Sequence, residues 1–205
     1  MASVYDLKPH FQSLLRPLVG RLAALGVTAN QVTIGAVVLS LACGGAIAAS
    51  GGAALSLLAL PVVLLVRMGL NAVDGMLARE HCQESRLGFF LNEIGDVISD
   101  AALYLPLALV AAPALPLLAG AMVTVFALTE FAGALGLAAG GGRRYDGPFG
   151  KSDRAVYFSV LAVIVALVAV PQWLAVAALW LALVLGLLTV FTRIRAAITG
   201  GETDG

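Results

Sequence analysis

Charged residues are scarce in this 205-residue sequence. Asp, Glu, Lys and Arg make up 12% of it, whereas soluble domains carry about 25%. The mean hydropathy is +0.99. This composition excludes an ordinary soluble domain, and the formal net charge of zero excludes the strongly basic surface of a nucleic-acid-binding protein. We expect an integral membrane protein, with the lipid bilayer as a partner and no nucleic acid.

Cysteine and histidine are also rare, with two of each. Cys43 lies in an apolar stretch and Cys82 in a predicted loop, a separation that argues against a disulfide. Neither histidine lies in a predicted span, and the cysteines form no pair. The sequence therefore does not support a zinc site, which needs clustered nitrogen and sulfur ligands.

Long apolar stretches dominate the rest of the chain, and six of them approach the roughly 20 residues that a helix needs to cross the hydrocarbon core. They lack the alternation of a barrel strand, so the spans should be helices. We predict an all-α integral membrane protein with six transmembrane helices and an N-terminal interfacial amphipathic helix. It would form one domain, with the interfacial helix at 1–27, the bundle at 28–199 and a tail at 200–205. The predicted spans are 31–50, 53–74, 87–111, 114–139, 154–170 and 173–196.

Positive charge is confined to one side of this topology. The turns on the other side, near Gly51, Pro113 and Pro171, are short and carry no charge. Because basic loops stay in the cytoplasm, we predict a multi-pass protein of the cell inner membrane with the active site and both termini cytoplasmic. The twelve cationic residues are Lys8, Arg16, Arg21, Arg67, Arg79, Arg86, Arg143, Arg144, Lys151, Arg154, Arg193 and Arg195.

Polar residues form two stripes at the inner ends of the second and third spans. Ionisable groups at membrane depth cost several kcal/mol unless they are paired, hydrated or bound to a metal. Carboxylate and amide oxygens on facing helices suit Mg²⁺ or Mn²⁺ bound together with a phosphate. The alternative is structural ion pairing, with Asp74 bonded to Arg67 or Arg79 and Asp100 bonded to another helix. The stripes are Arg67, Asn71, Asp74 and Ala78, then Asn92, Glu93, Asp96, Ser99 and Asp100.

The segment from Asn71 to Asp96 resembles the signature of the CDP-alcohol phosphotransferases, D-x-x-D-G-x-x-A-R, eight residues, then G-x-x-x-D-x-x-x-D. The matching residues are Asp74, Gly75, Ala78, Arg79, Gly88 and Asp96. Residues 28–33, TANQVT, are similar to the segment that opens the family's first span, although Ala29 replaces the usual proline.

The resemblance implies that an acceptor hydroxyl attacks the phosphate of CDP-diacylglycerol or another CDP-alcohol and releases CMP. It implies two divalent ions, Mg²⁺ or Mn²⁺, and a homodimer. Asp96 takes the place of the final aspartate and is the candidate general base and a metal ligand. The implied CDP-binding residues are Asp74, Gly75, Ala78, Arg79 and Gly88, with Asn30 and Thr33 in the opening segment.

Two motif aspartates are replaced by Asn71 and Asn92. The metal ligands implied by the motif are therefore Asn71, Asp74, Asn92 and Asp96, and amide oxygens bind such ions less strongly than carboxylates do. Glu93 and Asp100 are candidates to restore negative charge. Otherwise the site holds one metal, or it is a catalytically impaired nucleotide-lipid-binding or assembly subunit. A cation-coupled transporter is a third possibility, which the charge-free outer turns disfavour.

The loop before the fifth span resembles the turn with which relatives that use phosphorylated acceptors bind the acceptor phosphate. Lys151 and Arg154 are the corresponding cations, with Arg143, Arg144 and Arg193 as further candidates, and we expect an anionic acceptor. The alternative is that these residues follow the topology rule or anchor the helices. Asp153 is expected to cap the fifth span. Glu130 is expected to pair with Arg67 or to close the bottom of the site.

Overall fold

The computed structural model describes residues 4–140 and 142–200. Over these residues the chain forms seven helices and no strand, which confirms the predicted all-α membrane fold. The side chain of Lys8 and most of the predicted tail, residues 201–205, lie outside the described part. The helices are α1 (Val4–Ala24), α2 (Ala29–Ala49), α3 (Ala54–Glu80), α4 (Arg86–Ala111), α5 (Pro116–Ala138), α6 (Lys151–Leu167) and α7 (Gln172–Gly200).

Helices α2, α3, α4, α5 and α7 are each long and apolar enough to cross a membrane. The fifth predicted span corresponds to α6, which has 17 residues and a length of about 25 Å. It begins at Lys151, before the predicted start at residue 154, because the Gly150 N–H donates to the Asp153 carboxylate at 2.9 Å. Asp153 thus caps this helix, but from the third helical position rather than as the N-cap, which is Gly150.

The second predicted span, in contrast, is longer than expected, since α3 continues to Glu80 rather than ending near residue 74. The apolar pattern stops where the side chains become polar, whereas the backbone hydrogen bonds continue for almost two more turns. Asn71, Asp74 and Arg79 therefore all lie on one rigid helix. Their relative positions are set by helical geometry rather than by a loop.

The bundle is organised around α2 and α4, which approach each other closely at Gly44. A Cβ atom at this position would lie 1.8 Å from the Ala102 carbonyl oxygen, so only glycine permits the contact. Helix α2 also packs against α3, and α6 packs against α3. The rings of Tyr104 on α4 and Phe158 on α6 stack at 4.3 Å. These contacts bring the polar stripes of α3 and α4 to the start of α6.

Helix α1 lies against the last turns of α3, where Val19 contacts a buried cluster that includes Val73 and Leu77. The Arg16 guanidinium also donates two hydrogen bonds to Glu80, at 3.0 and 3.1 Å. The predicted N-terminal helix is therefore present and attached to α3, beside the end of the motif.

Candidate active site

A cleft of about 520 Å³ opens where α2 begins, α3 ends and α4 begins. Every residue that the motif implied for CDP binding lines it, together with the two motif asparagines. The cleft also contains residues that the motif did not indicate, among them Gln12, Ser85 and Tyr145. The residues expected from the sequence are Asn30, Thr33, Asn71, Asp74, Gly75, Ala78, Arg79, Gly88 and Asn92.

Asp74 is bonded within this cleft to a neighbouring helix. Its Oδ2 atom accepts a hydrogen bond from the Thr33 hydroxyl at 2.7 Å, and the residue is 6% exposed. This differs from the alternative in which Asp74 pairs with Arg67 or Arg79. A hydroxyl partner adds no positive charge, so the anionic character of Asp74 remains in the cleft.

Two glycines allow close contacts between side chains and helix backbone at the wall of the cleft. A Cβ atom on Gly75 would lie 3.1 Å from the Arg79 guanidinium, and one on Gly88 would lie 2.8 Å from the Asn30 side-chain oxygen. Glycine therefore lets the Arg79 guanidinium rest against its own helix and lets the start of α4 approach α2. Both contacts depend on the absence of a Cβ atom at these positions.

Two helix N-termini meet at the cleft, and each is capped by a side chain. Thr28 and Gln31 form a capping box at the start of α2, and the Ser85 hydroxyl accepts a hydrogen bond from the Gly88 N–H at 2.9 Å. Helix N-termini carry partial positive charge and favour anions. Together with Arg79, they make this cleft suitable for a pyrophosphate. Serine is a preferred N-cap residue, so the position of Ser85 just before α4 is the sequence signal that could have identified it.

Asp96 lies beside the cleft, with a residue exposure of 5%. Its Oδ1 atom accepts hydrogen bonds from Arg67 Nη2 at 3.0 Å and from Asn71 Nδ2 at 3.3 Å. Its Oδ2 atom accepts from the Lys151 ammonium. The candidate base is therefore paired with two cations, and Asn71 connects it to the cleft.

Asp100 lies one helical turn beyond Asp96 and is paired with two other helices. Its Oδ1 atom lies 2.7 Å from Arg67 Nη1, and its Oδ2 atom lies 3.0 Å from Arg154 Nη2. The interpretation of Asp100 as a structural ion pair therefore matches the structure. With both oxygens beside guanidinium groups, Asp100 does not face the cleft as the expected replacement ligand.

Arg154 occupies a position different from the one expected for an acceptor-binding residue. It is 0% exposed, and it donates to Thr129 Oγ1 at 2.7 Å and Glu130 Oε1 at 2.6 Å. A side chain enclosed in this way has no surface available to a substrate. Its contacts instead join α6 to α4 and α5.

Glu93 is likewise occupied by a guanidinium. Arg143 donates to its two oxygens at 2.6 and 2.8 Å and stacks over the Tyr145 ring at 4.6 Å. Burial by itself disfavours the charged form of Arg143, but the hydrogen bond and negative charge of Glu93 raise the pKa of Arg143 overall. Glu93 is therefore paired with Arg143, and it is not among the residues that line the cleft.

Glu130 is the centre of the remaining contacts. Its carboxylate lies 3.1 Å from Arg143, 2.6 Å from Arg154, 3.4 Å from Lys151 and 3.6 Å from Arg193. Its partners differ from the expected Arg67, and it is not among the residues that line the cleft. It joins residues of α5, α6 and α7 with the loop before α6.

Of the two remaining candidates for acceptor binding, Arg193 has internal partners for its side chain, whereas the hydrogen bond of Arg144 involves its backbone. Arg193 is 2% exposed and donates to the carbonyl oxygens of Asp146 at 3.2 Å and Thr129 at 2.5 Å. The Arg144 backbone N–H donates to the Gly133 carbonyl at 3.0 Å. Among the cations paired with Glu93, Asp96, Asp100 or Glu130, Lys151 has the most exposed side chain, at 28%. It alone among them combines partial exposure with contact to Asp96.

These ionic residues form one connected cluster, called the ion-pair network below. Four carboxylates face five cations, which leaves one formal positive charge. Among residues 4–140 and 142–200, no group of three or more His, Cys, Asp or Glu side chains is arranged to hold a metal ion. The predicted metal ligands are instead divided between the cleft and the network. The network consists of Glu93, Asp96, Asp100, Glu130, Arg67, Arg143, Lys151, Arg154 and Arg193.

Solved structures with the same fold exist. Two structures of Mycobacterium tuberculosis phosphatidylinositol phosphate synthase (PgsA1), one with CDP-DAG bound and one in complex with manganese and citrate, superpose with TM-scores of 0.73 and 0.72. Each is 24% identical, each comparison covers 89% of this chain, and they cover 92% and 88% of those chains. At this identity the similarity establishes the fold.

Sequence comparison extends the relationship beyond the fold. The chain is 49% identical over 172 residues to the inner membrane protein YnbA of Escherichia coli (strain K12), which covers 84% of each chain. A sequence model of the CDP-alcohol phosphatidyltransferases matches residues 26–188, a range that contains the motif and every member of the ion-pair network except Arg193. With most of its length matched in this way, the chain belongs to the CDP-alcohol phosphatidyltransferase family.

Proposed function

We propose that this protein transfers a phosphatidyl or other substituted phosphate group from a CDP-alcohol to the hydroxyl of a small anionic alcohol and releases CMP. CDP-diacylglycerol is the proposed donor. The observation that carries the proposal is that all the residues implied for CDP binding line one cleft. Its volume of about 520 Å³ falls within the roughly 300–1,000 Å³ of small-molecule sites. The fold is also that of PgsA1, which has been solved with CDP-DAG bound.

An apolar groove beside the cleft supports a lipid donor. It has a volume of about 290 Å³, lies between α2 and α4, and shares Thr33 with the cleft. Its other lining residues include Ile34, Val38, Phe90 and Ile94. A CDP group in the cleft would place an attached acyl chain along this groove, whose apolar side chains suit an acyl chain within the bilayer.

Lys151 supports an anionic acceptor. An ammonium group has three donors, and Lys151 directs contacts at Asp96 and Glu130 while keeping 28% of its side chain exposed. An acceptor phosphate bound to Lys151 would bring its hydroxyl close to Asp96. We assign Asp96 as the group that takes the hydroxyl proton. Arg154 and Arg193 are assigned as positioning residues, because their contacts are with the protein.

The cleft suits one divalent cation. The Asp74 carboxylate and the amide oxygens of Asn71 and Asn92 are hard oxygen donors lining the same space, and Mg²⁺ typically uses one or two carboxylates together with substrate phosphates. We propose Mg²⁺ or Mn²⁺ as this ion. When bound, it would neutralise the negative charge that develops on CMP, the leaving group.

The location of the site follows from the distribution of charge. We propose that this single domain resides in the inner membrane, with both termini and the cleft in the cytoplasm, where CDP-linked substrates and anionic acceptors meet. We also propose a homodimer, which light scattering of the detergent-solubilised protein would test. A monomer mass would reject the dimer without affecting the transferase proposal.

A second candidate function is a CDP-lipid-binding subunit that performs no transfer. The observation that favours it is the pairing of Asp96 with Arg67 and Lys151, combined with the loss of two motif carboxylates at Asn71 and Asn92. Such a protein would retain the cleft and would lack turnover.

CMP release separates the two functions. Purified protein would be incubated with CDP-diacylglycerol, Mn²⁺ or Mg²⁺, and phosphorylated or unphosphorylated small alcohols, and ligand binding would be followed by the rise in Tm. A transferase releases CMP when an acceptor is present, with phosphorylated alcohols preferred. Asp96→Asn should abolish release but keep the rise in Tm, whereas Asp146→Asn, an exposed control, should change neither. A rise in Tm with no CMP release for any acceptor would instead support the binding subunit.

A further inference from the structure

The structure shows how Asp96 is neutralised. Its two oxygens are occupied by Arg67 Nη2 at 3.0 Å, by Asn71 Nδ2 at 3.3 Å and by the Lys151 ammonium. The side chain is 5% exposed. A divalent ion bound by Asp96 would have to displace the Lys151 ammonium or lie beside it. Like charges at such separations repel strongly in a partly buried site.

Asn71 fits this arrangement better than an aspartate would. As an amide it donates a hydrogen bond to Asp96, whereas a carboxylate at position 71 would face Asp96 with the same charge. Two adjacent carboxylates need a cation between them or must share a proton. The asparagine is therefore the residue expected where no metal ion bridges the two positions.

The position of Lys151 supports the same conclusion. It is the first residue of α6, and a cation is disfavoured at a helix N-terminus because the helix dipole is positive there. Its contacts with Asp96 and Glu130 provide the compensation. The neighbouring guanidinium of Arg67 binds both Asp96 and Asp100 and is 5% exposed, so it too is fixed at this place.

We infer that Lys151, with Arg67, supplies at Asp96 the positive charge that a second divalent ion would otherwise supply, so that no divalent ion binds at Asp96. Any ion the protein binds would be the single one proposed beside Asp74. The inference concerns cation binding, and it stands or falls independently of whether the protein releases CMP.

Counting bound Mn²⁺ tests this inference. The full-length protein, purified in detergent and saturated with CDP, would be dialysed against Mn²⁺, and bound metal would be measured by mass spectrometry. Wild type should hold at most one ion per chain. The triple variant Asn71→Asp, Asn92→Asp, Lys151→Ala should hold two. The double variant Asn71→Asp, Asn92→Asp retains Lys151 and should hold one.

Two controls keep the result interpretable. Arg195→Ala removes one exposed cation from α7 and should not alter the count, which separates a local effect of Lys151 from general loss of charge. If the triple variant does not fold, Lys151→Met alone should increase the rise in Tm produced by saturating Mn²⁺, because it frees one oxygen of Asp96. Two ions bound to wild type, equal counts in the double and triple variants, or an unchanged rise in Tm for Lys151→Met would overturn the inference. No bound ion in wild type would agree with it while rejecting the single ion proposed beside Asp74.

Discussion

Replacement of Glu130 by glutamine should destabilise the protein substantially, because this carboxylate holds the ion-pair network together. It is 2% exposed and lies within 4 Å of Arg143, Lys151, Arg154 and Arg193. Glutamine preserves the size of the side chain and one acceptor oxygen but removes the charge. Five cations would then face three carboxylates, leaving two formal positive charges uncompensated among buried groups.

The size of the effect follows from the burial of these groups. Removing one partner of a buried ion pair costs about 3–5 kcal/mol, because the other charge is left uncompensated. Since glutamine still accepts a hydrogen bond, we expect a value at the lower end, about 3 kcal/mol. In a chain of this length, 1 kcal/mol corresponds to about 2–4 °C in Tm. Glu130→Gln should therefore lower Tm by about 6–12 °C.

Thermal unfolding of the purified protein in one detergent provides the assay, and the chain offers a matched control. Glu80→Gln makes the same chemical change in the pair with Arg16, whose side chains are 35% and 60% exposed. An exposed pair contributes little, so this variant should unfold close to the wild-type Tm. Equal Tm values for the two variants would refute the argument that the network stabilises the fold through buried charge.

Two further predictions concern packing and orientation. Gly44→Ala should lower Tm sharply, because its Cβ would lie 1.8 Å from the Ala102 carbonyl oxygen. Gly45→Ala, with nothing within 4 Å of its Cβ, should leave Tm unchanged or raise it slightly. Similar losses of Tm in both variants would contradict the proposed α2–α4 contact. A membrane-impermeant maleimide should label the exposed Cys82 in inside-out vesicles but not in intact spheroplasts, with the buried Cys43 unlabelled in both. Labelling of Cys82 in spheroplasts would reverse the proposed topology.

The helices and the motif were predictable because they depend on nearby residues. A stretch of about 20 apolar residues is sufficient to indicate a membrane helix, and the spacing from Asn71 to Arg79 places these side chains on one helix. The motif also fixes the number of residues between Arg79 and Gly88, so it identified Gly88 on the other side of the loop between α3 and α4. Helix ends were less predictable: α3 continues to Glu80 and α6 begins at Lys151, since hydrogen bonding continues beyond the apolar pattern.

The sequence by itself determined that the chain is a helical membrane protein whose polar groups are concentrated in one motif, because hydropathy and spacing are local properties. Only the tertiary structure decided which charges meet. Lys151 reaches Asp96 across 55 positions of the chain, and Arg143 reaches Glu93 across 50. No helical periodicity relates such residues, since their contact depends on how α4, α5 and α6 pack. Packing therefore separated the cleft around Asp74 from the cations that surround Asp96.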